Sequence, residues 1–133
     1  MTGLLHAHEE LVEWGRYLDR RGLCPGTSGN LSVRVAEGWL CTPTGAELGR
    51  LDPEQLSQIR PDGEAKDTSA LPTKEWQLHL ALYRQRPDVA AVVHLHSRHA
   101  AAVSCRSDLD PDNTLPPLTS YYAMHIERLP LVP

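Results

Sequence analysis

The chain has 133 residues, 41% hydrophobic and 23% charged, with a formal net charge of −4. That length suits a single domain with its own core, and the acidic balance with scattered Lys and Arg excludes a basic nucleic-acid surface. No apolar run reaches the roughly 20 residues of a membrane-spanning helix, "MTGLLHAHEELVEWG" lacks a signal-peptide core, and three isolated cysteines without a CxxC pair fit a reducing, cytoplasmic setting.

In chain order, Leu4, Leu5, Leu11, Val12, Trp14, Tyr17 and Leu18 recur at helical spacing. They predict an amphipathic helix over 3–21, closed by Gly22 in the position of a C-terminal cap. "CPGTSGN" is a turn-rich loop. "LSVRV" alternates as a half-buried strand does, "AEG" turns, and "WLCTP" returns beside it. A third strand is expected in "QLSQIRP". After a polar loop, Thr73 caps a helix that carries Trp76, Leu80 and Tyr83 on one face and stops before Pro87. "VAAVVHLH" is uniformly apolar up to its histidines and predicts a central strand. "SRHAAAVSC" reads as a short helix, "RSDLDPDNTLPP" as a loop, and "TSYYAM" and "RLPLVP" as short extended pieces.

Chemistry concentrates in "AVVHLHSRHAA". On a strand His94 and His96 point to one face, because the side-chain period is two. Two imidazoles so placed at a strand end favour one cation over two hydrogen-bonded core histidines. His99 either joins the site or flanks it. The spacing also resembles the H-x-H-x-D-H pattern of metallo-β-lactamase-type hydrolases, but Arg98 stands where the aspartate belongs and argues against a second metal. A zinc site needs three or four protein ligands, and His6, His8, His79 and His125 sit in no pattern that singles them out. Glu75, at the start of the helix before the histidine strand, is placed to reach a metal or act as a base; alone, it reads equally as a surface glutamate. "GTSGN" and "TPTG" expose backbone N–H groups at strand ends, and "PTKE" adds a helix N-terminus with a lysine, so together they suggest an anion pocket.

The motifs "GTSGNLSVR", "TPTG", "LPTKEWQLHLALYRQRPD" and "AVVHLHSRHAAAVS" occur here in the order seen in class II aldolase/adducin-like proteins, which the whole chain resembles. The resemblance implies an α/β fold of three layers, a central, mainly antiparallel sheet flanked by helices. It implies a homo-oligomer, a tetramer with active sites between subunits. It also implies one divalent metal ion per subunit, zinc first and manganese or a similar ion as the alternative. By this resemblance His94 and His96 are metal ligands, and Glu75 is the catalytic acid/base that also touches the metal. Gly29, Asn30, Thr44, Gly45, Thr73 and Lys74 hold the substrate phosphate. Tyr121 or Tyr122 is similar to a tyrosine that donates a proton across the subunit interface, although interface packing accounts for it as well. His99 corresponds to a residue that is not a ligand.

Two departures qualify this. The family's third metal histidine lies in an "NHG"-like motif that would fall past Pro133, so 1–133 is expected to be a single domain of this kind, incomplete at its C-terminal end. Lys74 replaces a serine, and with "SYYAM" and "RLPLVP" it makes the chain similar to the branch containing 3-oxo-tetronate 4-phosphate decarboxylases. The implied activity is cleavage of a C–C bond in a phosphorylated sugar or sugar acid through an enediolate. The alternatives are a non-catalytic, adducin-like assembly module and an inactive fragment of the enzyme.

Overall fold

A computed structural model describes residues 2–67 and 69–131. They fall into two compact units, Met1–His96 and Ser97–Pro133. No helix among the described residues is long and apolar enough to cross a membrane.

The first unit opens with helix α1 (Thr2–Arg20). Its end is a Schellman motif: Gly22 N–H donates to Asp19 O at 2.8 Å and Leu23 N–H to Leu18 O at 3.1 Å, with Gly22 at φ 68°. Only part of the expected apolar face is buried. Ala7, Leu11, Val12 and Leu18 point inward, while Leu5 and Trp14 are exposed. The hairpin follows as β1 (Asn30–Val35) and β2 (Gly38–Cys41), then two 3₁₀ turns at Leu48–Arg50 and Pro53–Gln55, and β3 (Ser57–Ile59). Helix α2 (Trp76–Gln85) precedes β4 (Ala91–His94).

The sheet is antiparallel throughout, in the order β3-β2-β1-β4. "VAAVVHLH" was expected at the centre of the sheet, yet β4 is an edge strand of this sheet, and Val93 is 57% exposed. An apolar run separates strand from loop but does not rank strands within a sheet.

Alternation along the strands sends side chains to two cores. Leu31 packs with Leu11, Val12, Leu18, Leu48 and Leu51 on the α1 face. Cys41, Ile59 and Val92 pack with Trp76, Leu80 and Tyr83 of α2 on the other. The sheet is therefore covered by a helix on each face, which is the three-layer arrangement expected. Trp76 also anchors α2 by donating from Nε1 to Gly63 O at 3.1 Å. Burial pushes the Cys41 thiol up to about 12, which removes it from nucleophilic chemistry.

The second unit holds α3 (Arg98–Ser104) and α4 (Ser120–His125). "TSYYAM" is thus a helix and not an extended piece. Its aromatic residues suit a strand, but the Thr119 hydroxyl accepts from Tyr122 N–H at 3.1 Å and caps a helical turn instead. Arg128–Leu131 forms no strand; it is tied to the preceding loop through Thr114 N–H to Leu129 O at 2.8 Å and Leu131 N–H to Pro111 O at 2.9 Å. The expected strand's last two residues, Val132 and Pro133, lie outside the described residues.

Candidate metal centre

Three separate segments of the first unit meet at one cleft of about 380 Å³. They are the loop Thr27–Asn30, the loop Pro43–Ala46 and the run Thr73–Glu75, with His96 beside them. The last two are stitched together across Pro43 and Pro72, which face each other in an isolated bridge. Proline has no N–H to give, so the neighbours supply the bonds: Thr44 N–H to Leu71 O at 3.0 Å and Thr73 N–H to Thr42 O at 3.1 Å. This bridge sets Thr73, Lys74 and Glu75 against Thr44 and Gly45. Gly29 ends the first loop at φ 77°, and a Cβ there would lie 2.9 Å from His94 O. Only glycine permits both the left-handed backbone and that approach to the histidine strand.

Register then assembles the ligands. Asn30 is paired directly with His94 across β1 and β4. Glu75 occupies the N-cap of α2, where the helix dipole favours a carboxylate. The helix begins one residue beyond Glu75; Thr73 Oγ1 accepts from Glu75 N–H at 3.3 Å and shapes the turn that leads in. His94 ends β4, and His96 follows just outside it, with ring centroids 4.9 Å apart. Glu75, His94 and His96 each offer a ligand atom within 4.8 Å of the others.

The donor set fits a divalent cation on an observation of its own. His94 Nδ1 is buried without a hydrogen-bond partner, although it lies 3.1 Å from Glu75 Oε2. The two atoms are close but form no hydrogen bond. A buried ring nitrogen left unpaired beside a carboxylate and a second imidazole suits a zinc-like ion, which takes nitrogen and oxygen donors.

Behind the cleft runs a chain of buried polar groups. Asn30 Nδ2 donates to Glu75 Oε2 at 2.5 Å, and Asn30 Oδ1 lies 2.5 Å from His79 Nε2. The other ring nitrogen, His79 Nδ1, is 2.7 Å from Ser32 Oγ, which is 2.8 Å from the Tyr83 hydroxyl. Asn30, Ser32 and His79 are all buried, His79 completely. The Asn30 side chain is thus hydrogen-bonded to Glu75 and His79.

His79 was passed over in the sequence, yet a signal existed. It lies three residues after Trp76 and four before Tyr83, on the buried face of α2, where a polar ring requires partners. Ser32 and Asn30 supply them from alternate positions of β1.

Burial, then the neighbouring His94, push His79 down to about 4. The unfolded chain takes up this proton near pH 6.5, the folded chain only near pH 4. Stability is therefore full above pH 6.5, and roughly 3 kcal/mol is lost as the pH falls to 4. Urea melts of the metal-free protein at pH 7 and pH 4.5 would register the loss, and His79→Gln is expected to flatten it.

Tyr121, Tyr122 and His99 belong to the second unit. Tyr121 is 73% exposed on α4, its ring 4.3 Å from that of His125. Tyr122 donates to Leu115 O at 3.5 Å. His99 lies on α3.

The fold and this cleft define a class of protein, and a direct match bears it out: the chain belongs to the class II aldolase and adducin N-terminal domain family, matched over residues 9–133. Among individual relatives, it is 42% identical over 126 residues to the 3-oxo-tetronate 4-phosphate decarboxylase of Haemophilus influenzae, covering 94% of this chain and 60% of that protein. It is 44% identical over 96 residues to the L-fuculose phosphate aldolase of Escherichia coli K12, covering 71% and 44%. The crystal structure of YgbL from Escherichia coli superposes with a TM-score of 0.88 at 41% identity, covering 98% of this chain and 63% of YgbL. The chain thus spans about 60% of the length of the curated decarboxylase relatives it matches.

Proposed function

We propose that the chain is part of a divalent-metal-dependent lyase that breaks a C–C bond in a phosphorylated sugar or sugar acid. The specific reading is a 3-oxo-tetronate 4-phosphate decarboxylase, with a related aldolase as the alternative. One observation carries it. Glu75 and His96 line one cleft with two glycine-hydroxyl loops and Lys74, and His94 brings a third ligand atom within 4.8 Å of theirs. The relatives named above support the lyase class, and the decarboxylases match over more of this chain than the aldolase does.

In this reading Glu75, His94 and His96 hold the ion, zinc or alternatively manganese, with a further histidine from outside these residues. Bound there, the ion supplies Lewis-acid stabilisation of negative charge that develops on substrate oxygens. The loops at Gly29 and at Thr44–Gly45 offer backbone N–H groups to the substrate phosphate. Thr73 adds a hydroxyl, and Lys74 adds a point charge for the phosphate or a sugar-acid carboxylate. Asn30 contributes to that pocket through its backbone, its amide being engaged with Glu75. Glu75 moves a proton on or off the substrate as the bond breaks. Tyr121, or Tyr122 beside it, is the further proton donor of this reading, acting across a subunit interface of a homo-oligomer, expected to be a tetramer.

A non-catalytic assembly module has no use for an unpaired imidazole nitrogen aimed beside a carboxylate. The decisive assay uses the full-length protein. We expect carbon dioxide release from 3-oxo-tetronate 4-phosphate and no aldehyde from a ketose phosphate. Aldehyde release without carbon dioxide would assign the aldolase reading instead.

A further inference from the structure

The buried chain behind the cleft has a direction, and the direction follows from its ends. A carboxylate only accepts. Asn30 must therefore present its NH₂ to Glu75 Oε2, since the flipped amide would set oxygen against oxygen at 2.5 Å. Asn30 Oδ1 then faces His79 Nε2, which must carry the proton. Nδ1 of the neutral ring is left as an acceptor, so Ser32 Oγ donates to it, and Ser32 Oγ in turn accepts from the Tyr83 hydroxyl. Every member is used, and no water is needed to satisfy any of these contacts. Ser32 is 1% exposed, Tyr83 3% and Asn30 4%. The reverse polarity would turn the carbonyl of Asn30 toward the carboxylate. Cooperative chains of this kind hold their groups more firmly than isolated pairs do.

We infer that His79, Ser32 and Tyr83 are positioning residues: they lock the Asn30 amide in one orientation and, through it, aim Glu75 toward His94 and His96. None of the three lines the cleft; their hydrogen bonds reach Glu75 through Asn30, and the His79 ring also lies 6.5 Å from that of His94. What this does for metal binding rests on the reading above; the polarity of the chain stands apart from it. The chain also explains why a histidine occupies the packed face of α2. Leucine would fill the space but leave Asn30 Oδ1 without its donor and the Ser32 hydroxyl proton without its acceptor, and the amide free to turn.

Two measurements on the full-length protein test this. Two-bond ¹H–¹⁵N spectra of the histidine rings in the metal-free protein are expected to show His79 neutral with its proton on Nε2; a proton on Nδ1 would overturn the proposal. Zinc affinity is then read by competition with a chromophoric chelator. His79→Leu is expected to weaken it by about 10- to 100-fold, the range for residues that orient metal ligands. His79→Gln, which keeps a donor toward Asn30 and an acceptor toward Ser32, is expected to recover most of that loss. Unchanged zinc affinity in folded His79→Leu contradicts the proposal. If His79→Leu does not fold, Ser32→Ala takes its place, with weaker zinc binding expected and unchanged binding contradicting. A wild-type protein that takes up no zinc or manganese would sink the metal reading of the cleft, and the ring tautomer would still decide the polarity of the chain.

Discussion

Glu75→Gln in the full-length protein is expected to lower kcat by about 10²- to 10⁴-fold, the range for loss of a positioned acid or base. The substitution is close to isosteric. Its side-chain oxygen still accepts from Asn30 Nδ2, now 2.5 Å from the carboxylate, so the buried chain and α2 keep their places. What disappears is the capacity to exchange a proton and one negative charge beside the imidazoles. KM should move much less than kcat, because phosphate binding is assigned to the glycine loops and Lys74. A variant with kcat within a few-fold of wild type would remove Glu75 from the chemistry.

Much of the fold is legible in the sequence where periodicity is strong. The hairpin shows in "LSVRV" and "WLCTP", and α1 ends at Gly22 through the bonds that a capping glycine implies. The bury-or-expose pattern within α1 is less legible: Trp14 and Tyr17 sit edge to face, 5.6 Å apart on the outer side, and helical spacing alone does not tell that side from the core. The position of β4 is not legible either, since strand order depends on pairing between segments about 60 residues apart. In the cleft, the sequence spacing was enough to associate His94 with His96, although β4 ends at His94 and His96 lies just beyond the strand on which it was expected. Their meeting with Glu75 needed the Pro43–Pro72 bridge, a long-range contact without a local signature. His79 escaped notice because its importance lies in two partners on β1, Asn30 and Ser32, and neither of them is unusual alone.

The link between geometry and function passes through the ion that Glu75, His94 and His96 are read to hold. Their ligand atoms already lie within 4.8 Å of one another, and a buried His94 Nδ1 without a hydrogen-bond partner is the kind of donor that a cation there would take up. Removing both imidazoles leaves Glu75 and the one further histidine of the proposed site, too few protein ligands for a tetrahedral site. The direct test is metal content by mass spectrometry after dialysis, on the full-length protein and its His94→Ala/His96→Ala form, with circular dichroism to establish that both are folded. The account predicts close to one zinc or manganese ion per subunit in the wild type and essentially none in the double variant. Equal metal content in the two folded proteins would contradict it.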